Sequence, residues 1–355
     1  MLRMVKRTDM TSNKASLIRV LSILFALITA GLFIAIMGHN PIKVYSAMFM
    51  GAFGSTFRIK DTLIIAIPLI LTSVGIMIAF KMKFWNIGGE GQILMGAFFA
   101  SFIALNFDTL PKPLLLLMMF IAGFIGGGLW ALLPAFLKVK FDTNETIITL
   151  MLNYIAIKWI TYLQYGPWKD PKSMGFPKIA NFSDAAILPK VFGIHMGWII
   201  TLVIVVIVSV MMKYSKKGYE ISVVGESMDT AKYSGINVNR VILGALFVSG
   251  GICGIVGMIE ASAVNQTLSA SLSAGYGFTA IITTWLSALN AAVIIPVSIL
   301  FAAMIKGGSF IQTAFQIPQA AANILQSIIL FFVIGSEFFV QYKLVLKSSK
   351  KEGSV

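Results

Sequence analysis

The residues best suited to chemistry crowd into one stretch, Phe84 to Gln92, which reads FWNIGGEGQ. It carries two amides, Asn86 and Gln92, and one carboxylate, Glu90, among the glycines Gly88, Gly89 and Gly91. Long apolar runs flank it, Thr62 to Phe80 before and Ile93 to Phe107 after. Polar side chains inside membrane segments are costly and mark function. Non-helical backbone at membrane depth survives only when buried in protein or lining a wet cavity. Glycines let the chain bend and let neighbours approach, and helices interrupted near the midplane recur as solute sites. On this reading Asn86, Glu90 and Gln92 satisfy freed backbone groups or face a solute pathway. The competing reading is a turn at the membrane edge, because Lys81 and Lys83 lie just before it. Glu90 is then a first-turn acid of the next helix. In either case Glu90 is expected to order the turn by accepting hydrogen bonds from backbone N–H groups.

Other polar or aromatic residues lie within apolar segments. Asn153 and Tyr154 offer an amide and a ring face to a base; Phe278 and Trp285 offer faces for stacking, worth roughly 1–3 kcal/mol per base. Ordinary packing or an interfacial aromatic belt accounts for the same aromatics. Lys158 is expected to snorkel or to pair with Glu145 or Glu260; Asn323 and Gln326 complete the set. Gly250, Gly251, Gly254 and Gly257 recur three or four apart, a spacing that suits close helix packing.

The elements that hold these residues are membrane helices. The 355 residues are 57% hydrophobic and 12% charged, against about 25% charged in soluble domains, and mean hydropathy is +0.87. The fold expected is all-α and polytopic. Segments near 16–37, 61–80, 91–107, 114–137, 146–164, 196–212, 241–261, 277–289, 291–305 and 319–340 have about the apolar length a span needs, giving about ten spans. The pair 277–289 and 291–305 is short and reads either as two spans or as one broken helix. The domain plan is a basic segment 1–15, one membrane domain 16–340, and a tail 341–355. The apolar run after the basic start is too long for a signal peptide and reads as an uncleaved first span.

The net charge of +14 does not indicate nucleic-acid binding. The basic residues fall in short clusters between apolar runs, as positive-inside loops do. That rule places both termini inside, together with Lys81/Lys83, Lys138/Lys140 and the loop Lys213 to Arg240. It places 38–60, 165–193 and 262–276 outside, with 165–193 expected to form an ordered cap. No phosphate-binding loop, HExxH or CxxC pattern occurs, so no ATP site of that type and no metal site is expected in this chain. His39 and His195 read as loop histidines, and Cys253 as a buried hydrophobe.

The loop from Lys213 to Arg240 contains a capped turn. Ser227 suits the N-cap of a helix Met228 to Ser234, Asp229 its first turn, and Gly235 a left-handed end. So short a helix is marginal alone and needs packing or a partner. A knob that docks into a cytoplasmic motor meets that need; a solvated loop is the plainer alternative. A membrane-embedded enzyme is disfavoured, because this loop offers only Glu220, Glu226 and Asp229 among lysines.

NIGGEGQ, at Asn86 to Gln92, resembles the signature of permease subunits of nucleoside and simple-sugar ABC importers. VGESMDTAKYSGINVNRVILGALFVSGGICGIVGMIEA, at Val224 to Ala261, resembles that family's coupling loop and following helix, and DTNETIITLMLNYIA, at Asp142 to Ala156, is similar to its usual pattern. The likeness covers most of the chain from about residue 60. Related permeases carry ribose and branched-chain amino acids, and NIGGEGQ points toward nucleosides. The resemblance implies a non-enzymatic transport subunit of the bacterial cytoplasmic membrane working by alternating access. It implies a cytoplasmic ATPase that holds ATP and magnesium and docks on Gly225, Glu226, Ser227, Asp229, Ala231, Tyr233 and Gly235. It also implies a second permease chain and an external substrate-binding lipoprotein. A ribose or other simple-sugar permease, or a secondary transporter without an ATPase, is the alternative.

Overall fold

A computed structural model of the chain describes residues 2–6, 12–173 and 175–346. Lys347, Lys350 and Lys351 of the expected tail, and Arg7 near the start, lie outside them. In chain order the main elements are β1 (Leu2–Lys6), α1 (Ser12–Ile36), α2 (Pro41–Phe53), α3 (Thr56–Lys81), α4 (Gly89–Asn106), α5 (Lys112–Phe141) and α6 (Glu145–Tyr165). A hairpin of β2 (Lys190–Val191) and β3 (Ile194–His195) follows, then α7 (Gly197–Tyr214), α8 (Lys216–Glu226), α9 (Met228–Tyr233) and α10 (Val238–Ile259). A π-turn (Glu260–Asn265) extends α10, and α11 (Tyr276–Leu286), α12 (Ala291–Phe315), α13 (Gln319–Gln341) and β4 (Tyr342–Leu346) complete the chain.

Among the described residues, seven helices are long and apolar enough to cross a membrane, or up to eight if the bent pair α1–α2 is one span. The expected count of about ten is therefore not confirmed. The shortfall lies at the segments expected at 91–107 and 277–289. Polar residues open α4, and α11 has only 11 residues, about 16 Å at 1.5 Å per residue, half of a hydrocarbon core about 30 Å thick. The outside loop expected at 38–60 is mostly helix. Asn40 caps α2 by accepting from Ile42 N at 2.9 Å, Pro41 starts it, and α1 and α2 meet at 111°.

The chain forms two compact units. One comprises the residues up to Ile59 and those from Ala303. In it α1 packs on α13, with Ile34, Val44, Ile311 and Leu325 in its core. β1 and β4 pair antiparallel, Leu2 opposite Leu346, so the two ends of the described chain lie together. The other unit, Lys60–Ala302, holds every residue of the opening stretch. Its centre is α3 and α10, buried over most of their lengths, while α6 and α7 stand outside with most of their surface exposed.

Glycines set the spacing of α4, α5 and α10. A Cβ on Gly254 would overlap the carbonyl oxygen of Gly123, one on Gly250 that of Gly127, and one on Gly257 that of Ile93. Gly251 faces the ring of Phe124 instead. The expected packing role of the α10 glycines is met on α5 by a second glycine run, Gly123 with Gly126 to Gly128, which the sequence reading passed over.

Candidate functional site

Helix α4 begins inside the unit, not at its edge. After α3 ends at Lys81, residues 82–88 run back among the helices in extended and turn conformations. Asn86 reaches Ser249 (Nδ2 to Oγ, 3.4 Å), midway along α10. Trp130, in the second half of α5, and Asn153 of α6 stand around Gly91, where an added Cβ would lie 3.0 Å from each side chain. The polar turn therefore sits level with the middles of α5, α6 and α10.

Its polar groups are largely spent on one another. The Asn86 Oδ1 accepts from Gly88 N and from Gln92 Nε2, both at 3.0 Å, and Asn86 Nδ2 donates to Gln92 Oε1 at 3.3 Å. Thr149 Oγ1 accepts from Ile87 N at 3.2 Å. Asn153 clamps the turn with both ends of its amide: Oδ1 accepts from Gly91 N at 2.8 Å and Nδ2 donates to the Ile87 carbonyl at 2.9 Å. Asn86, Glu90, Gln92 and Asn153 are all buried, and such networks fix a unique backbone when fully satisfied.

Glu90 does accept a backbone hydrogen bond, but from a distant element. Its Oε1 receives the N–H of Gly277 at 2.9 Å, in the first turn of α11. A carboxylate there meets the unpaired donors and the positive end of the helix dipole. A Cβ on Gly277 would overlap the Glu90 nitrogen, and one on Gly89 would stand 3.2 Å from the Gly277 Cα. Two helix starts thus meet at mid-height, with the Glu90 carboxylate between them. Lower on α11, Thr284 Oγ1 donates to the Ser73 carbonyl at 3.0 Å, and the Ser73 and Thr283 hydroxyls bond each other.

The aromatic candidates separate. Phe278 and Trp285 lie two turns apart on α11 and are 44% and 43% exposed, so one face of this short helix is open. Trp285 stacks on Trp85 at 5.3 Å, with Phe80 behind both. Trp85 belongs to the same aromatic set and was legible in FWNIGGEGQ, yet it was passed over as a site residue. Tyr154 points away from Asn153 and is exposed on the outer face of α6 with Trp159 and Tyr162. Lys158 lies on that face with no ion pair among the described residues; Glu145 pairs instead with Lys138 at 3.3 Å. Eleven side-chain polar atoms in the unit are buried without partners among the described residues, Thr72 Oγ1, Trp130 Nε1 and Glu260 Oε1 among them. Glu260 opens the π-turn, a distortion frequent at functional sites.

The expected knob is present and larger than expected. Ser227 Oγ accepts from Thr230 N at 3.2 Å, α9 follows, and Gly235 ends it with φ +76°. Ile236 N bonds back to the Ala231 carbonyl at 3.0 Å, closing the helix end. Ala231 is buried, Tyr233 is 94% exposed, and Asp229 and Met228 are exposed. The additional helix α8 roots this knob. Gly225 lies so close to the Lys81 carbonyl that any Cβ would overlap it, and Lys83 Nζ donates to the Glu226 carbonyl at 3.4 Å. The knob therefore rests on the residues that lead directly into the polar turn.

Residues 166–173 and 175–196, which hold most of the segment 165–193 expected as an ordered external cap, are tied to neighbouring elements. Gln164 donates to the Pro177 carbonyl at 2.7 Å, and Thr267 Oγ1 to that of Ile179 at 2.9 Å. Buried His195 lies in this cap, its pKa pushed down to about 4 by burial and by the cation of Lys190. No group of three or more metal-ligating side chains occurs among the described residues.

A multi-pass helical membrane protein with two helix starts joined at mid-height and a braced, exposed knob is a solute carrier's subunit in architecture. Residues 58–334 match the family described as branched-chain amino acid transport system, permease component, and the chain belongs to that family. It is a permease of the ABC type, a transport component and not an enzyme. It is 33% identical to a glucose ABC transporter permease protein of Haloferax volcanii, over 91% of this chain and 88% of the relative. It is 27% identical to a guanosine ABC transporter permease protein of Bacillus subtilis, over 95% and 97%. It is 28% identical to a nucleoside ABC transporter permease protein of Lactococcus lactis, over 92% and 93%.

Proposed function

We propose that this chain is the membrane permease of an ABC importer that carries nucleosides by alternating access. The observation that carries the reading is the junction of α4 and α11, tied through residues 81–83 to the knob. A push on α8–α9 reaches the polar turn through Gly225 and Lys83, and reaches α11 through the Glu90 bond. The open face of α11, with Phe278, Trp285 and neighbouring Trp85, suits a flat ring, since base–aromatic stacking tolerates any base.

On this reading a cytoplasmic ATPase, holding ATP and magnesium, docks on residues 225–235. A second, different permease chain completes the pathway, and an external substrate-binding lipoprotein delivers solute at the cap. Both termini face the cytoplasm, in keeping with the pairing of β1 and β4. The second reading is a glucose or other simple-sugar permease, favoured by the 33% identity to the haloarchaeal glucose protein.

The test is uptake of labelled nucleoside by cells with and without the gene, with excess ribose or glucose as competitor. The nucleoside reading expects uptake to fall on deletion and neither sugar to compete. Unchanged nucleoside uptake together with lost sugar uptake would move the assignment to sugars. Uptake of either solute with the ATPase removed would point to a secondary transporter.

A further inference from the structure

The knob end of the unit Lys60–Ala302 contains a cavity whose lining includes none of the residues of the polar turn. It measures about 690 Å³ and lies between the ends of α3 and α7 and the turn that precedes α12. Half-buried Lys81 and exposed Lys213 line it from the two helix ends, with Ser209 and Asn290 as further polar groups. Met77 and Met212 supply an apolar wall.

Among the described residues no carboxylate lines this cavity. Some lysines toward this end have acids at hand, Lys138 with Asp142 and Glu145, Lys217 with Glu220 and Lys232 with Asp229, whereas Lys83 and Lys140 meet a carbonyl or rings. Lys81 and Lys213 form no ion pair among the described residues, and Lys213 meets only the ring of Tyr214, at 5.2 Å. The far wall is held rigidly. Ala288 and Leu289 both adopt left-handed backbone, φ 48° and 57°, a conformation that costs a non-glycine residue about 1 kcal/mol or more. It persists because Ala288 N bonds the Trp285 carbonyl at 2.9 Å and Asn290 N that of Ser287 at 3.0 Å.

Two uncompensated cations across a cavity that is polar on one side and apolar on the other define an anion with a hydrocarbon attachment. We propose that the cavity binds the phosphate of an anionic phospholipid, held between Lys81 and Lys213 with its glycerol and first methylenes against Met77 and Met212. The cavity is far larger than an inorganic phosphate needs, and it lies at the ends of α3 and α7, two helices long and apolar enough to cross a membrane. Basic pockets between membrane helices on the cytoplasmic side take such headgroups. The bound phosphate would join the last turns of α3 and α7, the two roots of the knob, because the Lys81 carbonyl packs on Gly225 and α7 leads through Ser215 into α8. The lipid would thereby stiffen the knob.

The experiment uses the full chain in nanodiscs of equal phosphatidylglycerol and phosphatidylcholine, with retained lipids counted by native mass spectrometry after transfer to detergent. A cation near an anionic headgroup contributes roughly fivefold, so the wild type is expected to favour phosphatidylglycerol by about tenfold or more. K81Q/K213Q should bring that ratio close to unity. K216Q/K217Q, which removes neighbouring lysines outside the cavity, should retain it, and so should K81R/K213R. An unchanged ratio in K81Q/K213Q overturns the proposal. So does an equal loss in K216Q/K217Q, which would make the preference diffuse electrostatics, or in K81R/K213R, which would make it packing. Displacement by added soluble glycerol phosphate would assign the same phosphate site to a soluble ester; resistance to it supports the lipid.

Discussion

Removal of the Glu90 carboxylate tests the junction on which the functional reading stands. In Glu90→Ala the Gly277 N–H loses its acceptor at a position where Glu90 itself is 2% exposed, so water does not readily replace it. A buried donor left unsatisfied costs about 1–3 kcal/mol. Loss of the negative charge at the α11 start adds up to about 1 kcal/mol, offset in part by relief of carboxylate desolvation. A net loss of about 2–3 kcal/mol corresponds to a fall in Tm of roughly 5–10 °C for a unit of this size. Glu90→Gln retains an acceptor oxygen and should fall by no more than about a third as much. Thermal unfolding followed by tryptophan fluorescence is the assay, since the Trp85–Trp285 stack reports directly on α11. Uptake should fall in the same order, Ala below Gln below wild type. A Tm for Glu90→Ala within about 1 °C of wild type would refute the capping argument. Equal damage from Gln and Ala would show that charge, not the hydrogen bond, holds α11.

Four further outcomes are expected. Asn153→Ala removes both the Gly91 and Ile87 bonds and should destabilise by about 2–3 kcal/mol, with Asn153→Asp intermediate, read by the same unfolding assay. Gly254→Val drives a branched side chain into the Gly123 backbone and should cost more than about 3 kcal/mol, seen as loss of protein from the membrane fraction. Gly235→Pro forces φ near −65° where the chain needs +76°; ATP-linked uptake should vanish while membrane abundance holds. The buried His195 has its pKa lowered to about 4, below about 6.5 for an exposed imidazole. The opened cap therefore binds the proton more readily than the closed one. Its stability contribution is full above about pH 6.5 and declines as pH falls toward 4, and protease cleavage within 166–196 should rise over that window. His195→Phe should remove most of the rise.

Much of this architecture could be read from residue order because it depends on local rules. Apolar runs of sufficient length marked α3, α5, α6, α7, α10, α12 and α13. Ser227 and Gly235 marked both ends of the knob helix, since a hydroxyl cap and a left-handed glycine act within a few residues of themselves. The spacing of Gly250, Gly254 and Gly257 predicted close packing. The same local logic failed at α2, where it assigned a loop, and at α11, where an 11-residue helix resembled a weak span. It also joined Tyr154 to Asn153 as neighbours in sequence, although adjacent residues on a helix face different ways.

The resemblance of its motifs to a family supplied the permease class, and the sequence by itself determined an all-helical membrane protein with a polar break in FWNIGGEGQ and a capped knob at 227–235. Those features follow from composition, periodicity and capping, which short segments carry alone. The tertiary structure decided what the break bonds to. Only the packing of α11 on α4 shows that Glu90 accepts from Gly277, far along the chain, and that both ends of the Asn153 amide hold the turn instead of standing free. The contacts of Gly225 with Lys81 and of Lys83 with the Glu226 carbonyl join the knob to that turn. Bonds between residues so distant in sequence arise from how helices pack, and a glycine or a carboxylate carries no mark of which distant backbone it will meet.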